Sequence, residues 1–381
     1  MNKTKKLLKF EFLAQGSLGA AEGLAEAFFD VIITRMGASP FIVGLVGSSS
    51  YISNLFSPFW ARVSQRIGVK KLVIMSFLFA SFFLFMLAFS ESISLFLLLI
   101  FLYYTFYGIK EVLYPTIVER VYMDLRILSH AEATYTLIYT ITVGIAGYIM
   151  DVESHRLAFI LASGLLIIAT LSRLPFPEVK DCENENRDLP YRDKLILSLV
   201  LMFMIAGTGM LMMLPAIPIL EVRLLNLSNM TIGIAIAIDS LTYVIFSELW
   251  GRVIKKLSHV VRVFQLGFIA IGAMAGIYFM STLPWHIYLA GALCGIGGSA
   301  ISIGWQAFSM GVPDYRTEDL SALHLTTCGI RGLYAPLLGS FLINLIGVRK
   351  TFIVAGLIVI TGVFIAEALI NPLKERFELL D

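Results

Sequence analysis

The sequence predicts an all-α membrane protein, with twelve transmembrane helices in two pseudo-symmetric six-helix bundles. Three observations carry this expectation: long uncharged apolar blocks, basic residues that alternate from loop to loop, and an internal repeat half a chain apart. Apolar residues make up 58% of the 381 positions and charged residues only 15%, whereas soluble domains carry about 25% charged residues. The apolar excess is concentrated. Leu72–Phe89, Leu195–Leu220 and Val263–Pro284 contain no charge at all, and as helices they approach or exceed the ~30 Å of a bilayer core. A buried helix of a soluble protein is rarely uncharged all round for that length.

In order along the chain the expected spans are 8–36, 41–60, 69–90, 93–118, 130–150, 156–174, 194–221, 229–250, 262–281, 284–311, 320–346 and 350–371. Short polar separators divide them, such as Gly37-Ala38-Ser39-Pro40, Ser90-Glu91-Ser92 and Asn226-Leu227-Ser228-Asn229, which carry turn chemistry. The longest polar stretch runs from Pro175 to Lys194. The expected organisation is therefore an N-terminal bundle over 1–174, a cytoplasmic linker over 175–193 and a C-terminal bundle over 194–381. No small-residue cleavage site follows a short apolar region near the N-terminus, so the first helix is expected to remain as the first span.

Orientation follows from Lys and Arg. With the N-terminus inside, the termini and inner loops hold 22 of the 29 basic residues, and the outer loops hold only Arg35, Arg156, Arg223, Arg349 and Lys350. This is a positive-inside distribution. It predicts a multi-pass protein of the cell (plasma) membrane with both termini cytoplasmic.

The repeat lies at the ends of the second and eighth spans. Phe56-Ser57-Pro58-Phe59-Trp60-Ala61-Arg62-Val63 is matched by Phe246-Ser247-Glu248-Leu249-Trp250-Gly251-Arg252-Val253. Both copies run into basic inner loops. Parallel halves with matching loops mark a duplicated transporter fold with its site between the halves.

The first copy continues as Ala61-Arg62-Val63-Ser64-Gln65-Arg66-Ile67-Gly68-Val69-Lys70-Lys71. This resembles the loop 2–3 signature of the major facilitator superfamily: Gly, three residues, Asp, Arg, any residue, Gly, then basic residues. Arg66, Gly68, Lys70 and Lys71 match. Ala61 replaces the family's Gly and Gln65 its Asp. The resemblance implies a gating loop formed by Arg62, Gln65, Arg66, Gly68, Lys70 and Lys71. Gln65 cannot make the ion pair that the family's Asp makes, so the implied gate is weaker. The alternative is that these basic residues only fix topology.

Charges inside the bilayer require a reason, since each costs at least about 2.5–3.5 kcal/mol at mid-depth. The first span is the richest. Glu22, Glu26 and Asp30 are spaced i, i+4, i+8, which on a continuous helix places them within about 80° of one another. Glu11 and Gln15 extend the stripe. Neither desolvation nor mutual repulsion favours three ionised carboxylates so close together, and such groups can load and release protons. Glu22, Glu26 and Asp30 are therefore candidate proton-coupling residues. The alternative is permanent pairing with Lys110 or Arg331.

The fourth span places Tyr103, Tyr107, Lys110 and Tyr114 within about 60° of one face, with Glu111 on its edge. Rings that stack and hydroxyls that hydrogen-bond suit a substrate wall, so Tyr103, Tyr107, Lys110 and Glu111 are candidate substrate-binding residues. In the second half the candidates are Asp239, Trp305, Gln306 and Arg331. Arg331 is either a holder of an anionic substrate or the partner of Asp239. Pro215 and Pro218 are expected to kink the seventh span.

His130, His155, His259, His286 and His324 share no ligand spacing, and no Gly-Lys-Thr/Ser phosphate loop occurs. No cofactor, metal or nucleic acid is expected, and ATP drive is disfavoured. The expected activity is secondary transport of a small-molecule substrate by alternating access, coupled to H⁺, by a monomer in a lipid bilayer. Drug or amphiphile efflux is weighed against proton-coupled uptake of a small organic anion or nutrient. Against export, the fifth span lacks the Gly-Pro signature of similar antiporters and reads Val143-Gly144-Ile145-Ala146-Gly147-Tyr148. A non-transporting sensor and an integral-membrane enzyme are the alternative classes. The enzyme would need a reactive group set that the sparse His and Cys do not supply.

Overall fold

A computed structural model describes residues 2–110, 113, 125–178, 193–312 and 317–370. Those residues are helical almost throughout, with no strand among them. Nine of the described helices are long and apolar enough to cross a membrane. They carry large apolar side chains outward, Phe82 and Ile141 in the first half and Leu357 and Phe364 in the second. That is the surface a hydrocarbon solvent selects.

The chain divides into two compact units, Met1–Asn184 with Leu227–Ala237, and Glu185–Asn226 with Ile238–Asp381. In the first unit, α1 (Asn2–Leu24) is followed by a 3₁₀ turn (Glu26–Phe28) and α2 (Phe29–Arg35). Next come α3 (Pro40–Ser49), α4 (Ile52–Leu55), α5 (Ser57–Ile67), α6 (Val69–Leu87), α7 (Ile93–Tyr107), α8 (Leu125–Val152) and α9 (His155–Arg173). The starts of α3 and α7 are fixed by side-chain caps: Ser39 Oγ accepts from Ile42 N, and Ser92 Oγ from Leu95 N. Each satisfies one orphan amide of a first turn.

α1 packs on α8 almost backbone to backbone. A Cβ on Gly19 would lie 2.3 Å from the carbonyl oxygen of Tyr135, and one on Gly23 would lie 2.3 Å from Thr142 Oγ1. Small residues at such crossings let helices approach closely in lipid. A second ring-rich layer lies behind α2, where Phe29 meets Phe96, Tyr103, Tyr104 and Phe159 edge to face.

In the second unit, α10 (Lys194–Met212) ends before a short helical turn, α11 (Ala216–Ile219), and a π-wound segment, Leu220–Leu224. The interruption falls at Pro215 and Pro218, where the sequence places it: proline lacks the amide that continues a helix. α12 (Asn229–Val253) crosses from the first unit's segment into the second unit, which α13 (Leu257–Met280), α14 (Pro284–Gly311), α15 (Thr317–Ile346) and α16 (Val348–Ile370) complete.

The first two spans are less regular than expected. The continuous helix over 8–36 is broken at Ala25, whose backbone leaves the helical region (φ −132°, ψ −60°). The Glu22–Glu26–Asp30 stripe therefore does not run along one helix. The second span is three pieces, α3, α4 and α5, instead of one.

Candidate coupling and substrate sites

Around Glu22 the first unit assembles a closed polar cluster. Glu22 is buried, 8% exposed. Its Oε1 accepts from the Tyr107 hydroxyl and from Lys110 Nζ at 2.5 Å. Its Oε2 accepts from the Tyr135 hydroxyl. Lys110 Nζ also donates to Tyr107 Oη at 2.7 Å and lies 4.1 Å from the centre of that ring. The charge is thus met by an ammonium and two phenols on three different segments, α7, the turn beyond Gly108, and α8. Such charge-assisted bonds are the strong ones.

Glu26 stands one turn further along the chain, on the 3₁₀ segment, and its Oε2 accepts from Tyr103 Oη at 3.0 Å. Tyr103 stacks on Tyr107 with ring centres 5.0 Å apart, which joins the two carboxylates through one aromatic pair. Asp30 is the third acid. Its Oδ1 is buried with no hydrogen-bond partner, and it belongs to α2, beyond the break. Glu111 lies outside the described residues.

Glu11 belongs to a separate site. It is fully buried and receives both η nitrogens of Arg173, itself 3% exposed, with Nη2 to Oε1 at 3.0 Å and Nη1 to Oε2. Gln15 Nε2 donates to the same carboxylate at 3.1 Å. Arg173, the last residue of α9, is one of the 22 basic residues that the positive-inside count assigns to the inner side, and the structure makes it an internal counter-ion to Glu11.

The loop between α5 and α6 turns at Gly68 (φ +98°, ψ +140°), a conformation that side chains avoid. Arg62, Gln65, Arg66 and Lys71 are exposed around it. Lys70 is tied down twice: its backbone N–H donates to Glu178 Oε1 at 3.1 Å and its Nζ to the Leu174 carbonyl at 2.6 Å. The Glu178 carboxylate sits at the first turn of α6, where exposed amides favour an anion. Glu178 was not legible as a partner, because it falls in the polar stretch read as linker.

In the second unit Arg331 does not pair with Asp239. Asp239 sits beside the Cys294 thiol. Arg331 Nη1 donates to the Phe203 carbonyl at 2.5 Å and Nη2 to Cys328 Sγ at 3.0 Å. Trp305 stacks on His324 with ring centres 4.3 Å apart, and Phe203 packs edge-on against both. Trp305 and Arg331 are therefore in one cluster. Gln306, the next residue along α14, is exposed.

The family described as Major Facilitator Superfamily matches residues 12–190 and 199–378. The chain belongs to the major facilitator superfamily. Solved transporter structures agree in fold. A mutant form of the nucleoside transporter NupG superposes with a TM-score of 0.77 over 96% of this chain and 99% of that one, at 14% identity. A POT family transporter in complex with 5-aminolevulinic acid superposes with a TM-score of 0.72 over 97% of this chain and 96% of that one, also at 14% identity. In sequence, this facilitator-superfamily chain is 26% identical over 149 residues to the multi-drug resistance efflux pump PmrA of Streptococcus pneumoniae. That match spans 38% of this chain and 36% of the pump. The chain is accordingly a multi-pass membrane transporter and not an enzyme.

Proposed function

We propose that this transporter is driven by protons and that Glu22 is its coupling carboxylate, moving a small organic solute by alternating access. The observation that carries the reading is the Glu22 cluster. A buried carboxylate is held by one cation, Lys110, and by two hydroxyls, Tyr107 and Tyr135. Adding a proton to Glu22 cancels its attraction for Lys110 and converts one oxygen from acceptor to donor. The bonds that tie α1 to α7 and α8 then change together, which gives one proton a direct hold on the packing of three segments.

The same geometry argues against the acidic stripe as a landing place for a cationic solute, because both Glu22 oxygens are already occupied. Glu26, bound to Tyr103 and joined to the cluster by the Tyr103–Tyr107 stack, is the second acid in the proposal. The partial likeness to the PmrA pump supports export as the direction. The distribution of basic residues supports cytoplasmic termini in the plasma membrane, and the loop Arg62–Lys71 is proposed as the inner gate.

The test uses the full chain in liposomes loaded with a pH-sensitive dye, with a panel of organic solutes offered on either side. We expect at least one solute to move protons, and Glu22→Gln to remove the pH signal while equilibrium binding of that solute persists. Equal proton movement in wild type and variant would end the assignment of Glu22.

A further inference from the structure

Arg331 is the buried cation in the second unit that the coupling cluster leaves unexplained. It is 8% exposed on α15. Among the described residues no carboxylate lies within ion-pair distance of it. A guanidinium carries five N–H donors in a planar fork. One is spent on the Phe203 carbonyl and one on the Cys328 sulfur, a weak acceptor. The Nε–H is buried with no partner at all. Leaving a buried charge without a counter-ion is costly, and membrane helices retain such a residue where it meets something else.

Two further observations mark the place as shaped for a ligand. The indole Nε1 of Trp305 is likewise buried without a partner, and its ring belongs to the same cluster through His324 and Phe203. The guanidinium also occupies space that only glycine allows: a Cβ at Gly207 would lie 2.2 Å from Arg331 Nη1. The chain thus makes room for an arginine head group, orients it through a backbone carbonyl, and leaves its Nε–H without an acceptor.

We propose that Arg331 binds the anionic group of an organic solute, a carboxylate or its sulfonate or phosphate equivalent, beside the rings of Phe203, Trp305 and His324. The Nε and Nη2 edge is the side-on fork that donates to two oxygens of such a group. Nη2 holds only the Cys328 thiol, which an oxyanion readily displaces. The three rings offer an apolar wall for the remainder, so the class is a small aromatic or amphiphilic acid. Identification of this ligand as cargo rests on the transporter reading above; anion binding itself does not require proton coupling.

The experiment is equilibrium dialysis of the detergent-purified full chain, with no proton gradient, against matched probes. Benzoate is paired with benzamide, benzenesulfonate with benzenesulfonamide, and inorganic phosphate is run alone. We expect at least one organic anion to bind ten times tighter than its neutral counterpart or more. R331Q should weaken the anion about a hundredfold and abolish the preference, the size seen when one partner of a buried charge pair is removed. R331K, which keeps the charge but loses the fork, should retain part of the preference. W305F, which keeps the ring but loses the N–H, should weaken the anion about three- to tenfold. Should R331Q fail to fold, R331K and W305F still decide the matter. No anion preference in the wild type, or a preference unchanged in these variants, overturns the proposal. Because no gradient is present, either failure leaves the Glu22 assignment standing, and loss of that assignment leaves this one untouched.

Discussion

The Glu11–Arg173 pair offers a sharp test of how this protein uses internal charge. Glu11 is fully buried and Arg173 is 3% exposed, and both carboxylate oxygens receive guanidinium donors. Glu11→Gln leaves the guanidinium buried without its counter-ion, and Arg173→Met leaves the carboxylate likewise. Each should cost about 3–5 kcal/mol, the penalty for breaking a buried pair from one side. The double change removes both charges and fills the space with atoms of similar volume. It should be far less damaging than either single change, because the carboxamide oxygen that replaces the carboxylate still accepts from the Gln15 amide. The assay is unfolding of the purified chain in mixed micelles by a denaturing detergent, for wild type, both singles and the double. Single variants within about 1 kcal/mol of wild type, or a double as unstable as the sum of the singles, would refute the reasoning; contacting residues are expected to couple by about 0.5–3 kcal/mol or more.

Three other outcomes are expected. Gly19→Ala drives a methyl to within 2.3 Å of the Tyr135 carbonyl and should lower stability by about 1–3 kcal/mol, measured in the same micelles. Gly68→Ala forces a side chain into a left-handed backbone conformation, at a strain of about 1–3 kcal/mol, and should raise protease cleavage between α5 and α6 in proteoliposomes. Tyr135→Phe removes the donor on Glu22 Oε2; it should cost about 1–3 kcal/mol and weaken proton movement more than solute binding, which parallel flux and binding assays would separate.

Much of the architecture was legible because solvent writes it directly into the residues. Uncharged runs, proline positions and a short motif repeated 190 residues on can be read directly, and the helix is interrupted around Pro215 and Pro218. The pairing of Lys110 with Glu22 was among the readings the charges allowed, since few opposite charges share the first half of the bilayer. The remainder depended on geometry that no single segment carries. Tyr135 has no charge and lies near the N-terminal end of its span, so nothing in the sequence sets it apart from other aromatic residues. Arg173 stands at a basic helix end and looks solvated until α1 is packed against α9. The break at Ala25 has no glycine or proline to announce it. Asp239 and Arg331 look like natural partners along the sequence, but each finds its neighbour on another helix, Cys294 and Phe203.

The interruption at Ala25 changes what the first span can transmit. On its N-terminal side, α1 is packed closely on α8 at the glycine contacts and carries Glu22. On its C-terminal side, α2 carries Asp30 and rests on the aromatic layer around Phe29. The segment between them already uses short i→i+3 bonds, with Phe28 N bonded to Ala25 O at 3.0 Å, so bending there need not tear a regular α ladder. Glu26 sits on that elbow. The two arms of the span thus meet at a tightened turn, and the Glu26–Tyr103 bond ties that turn to α7.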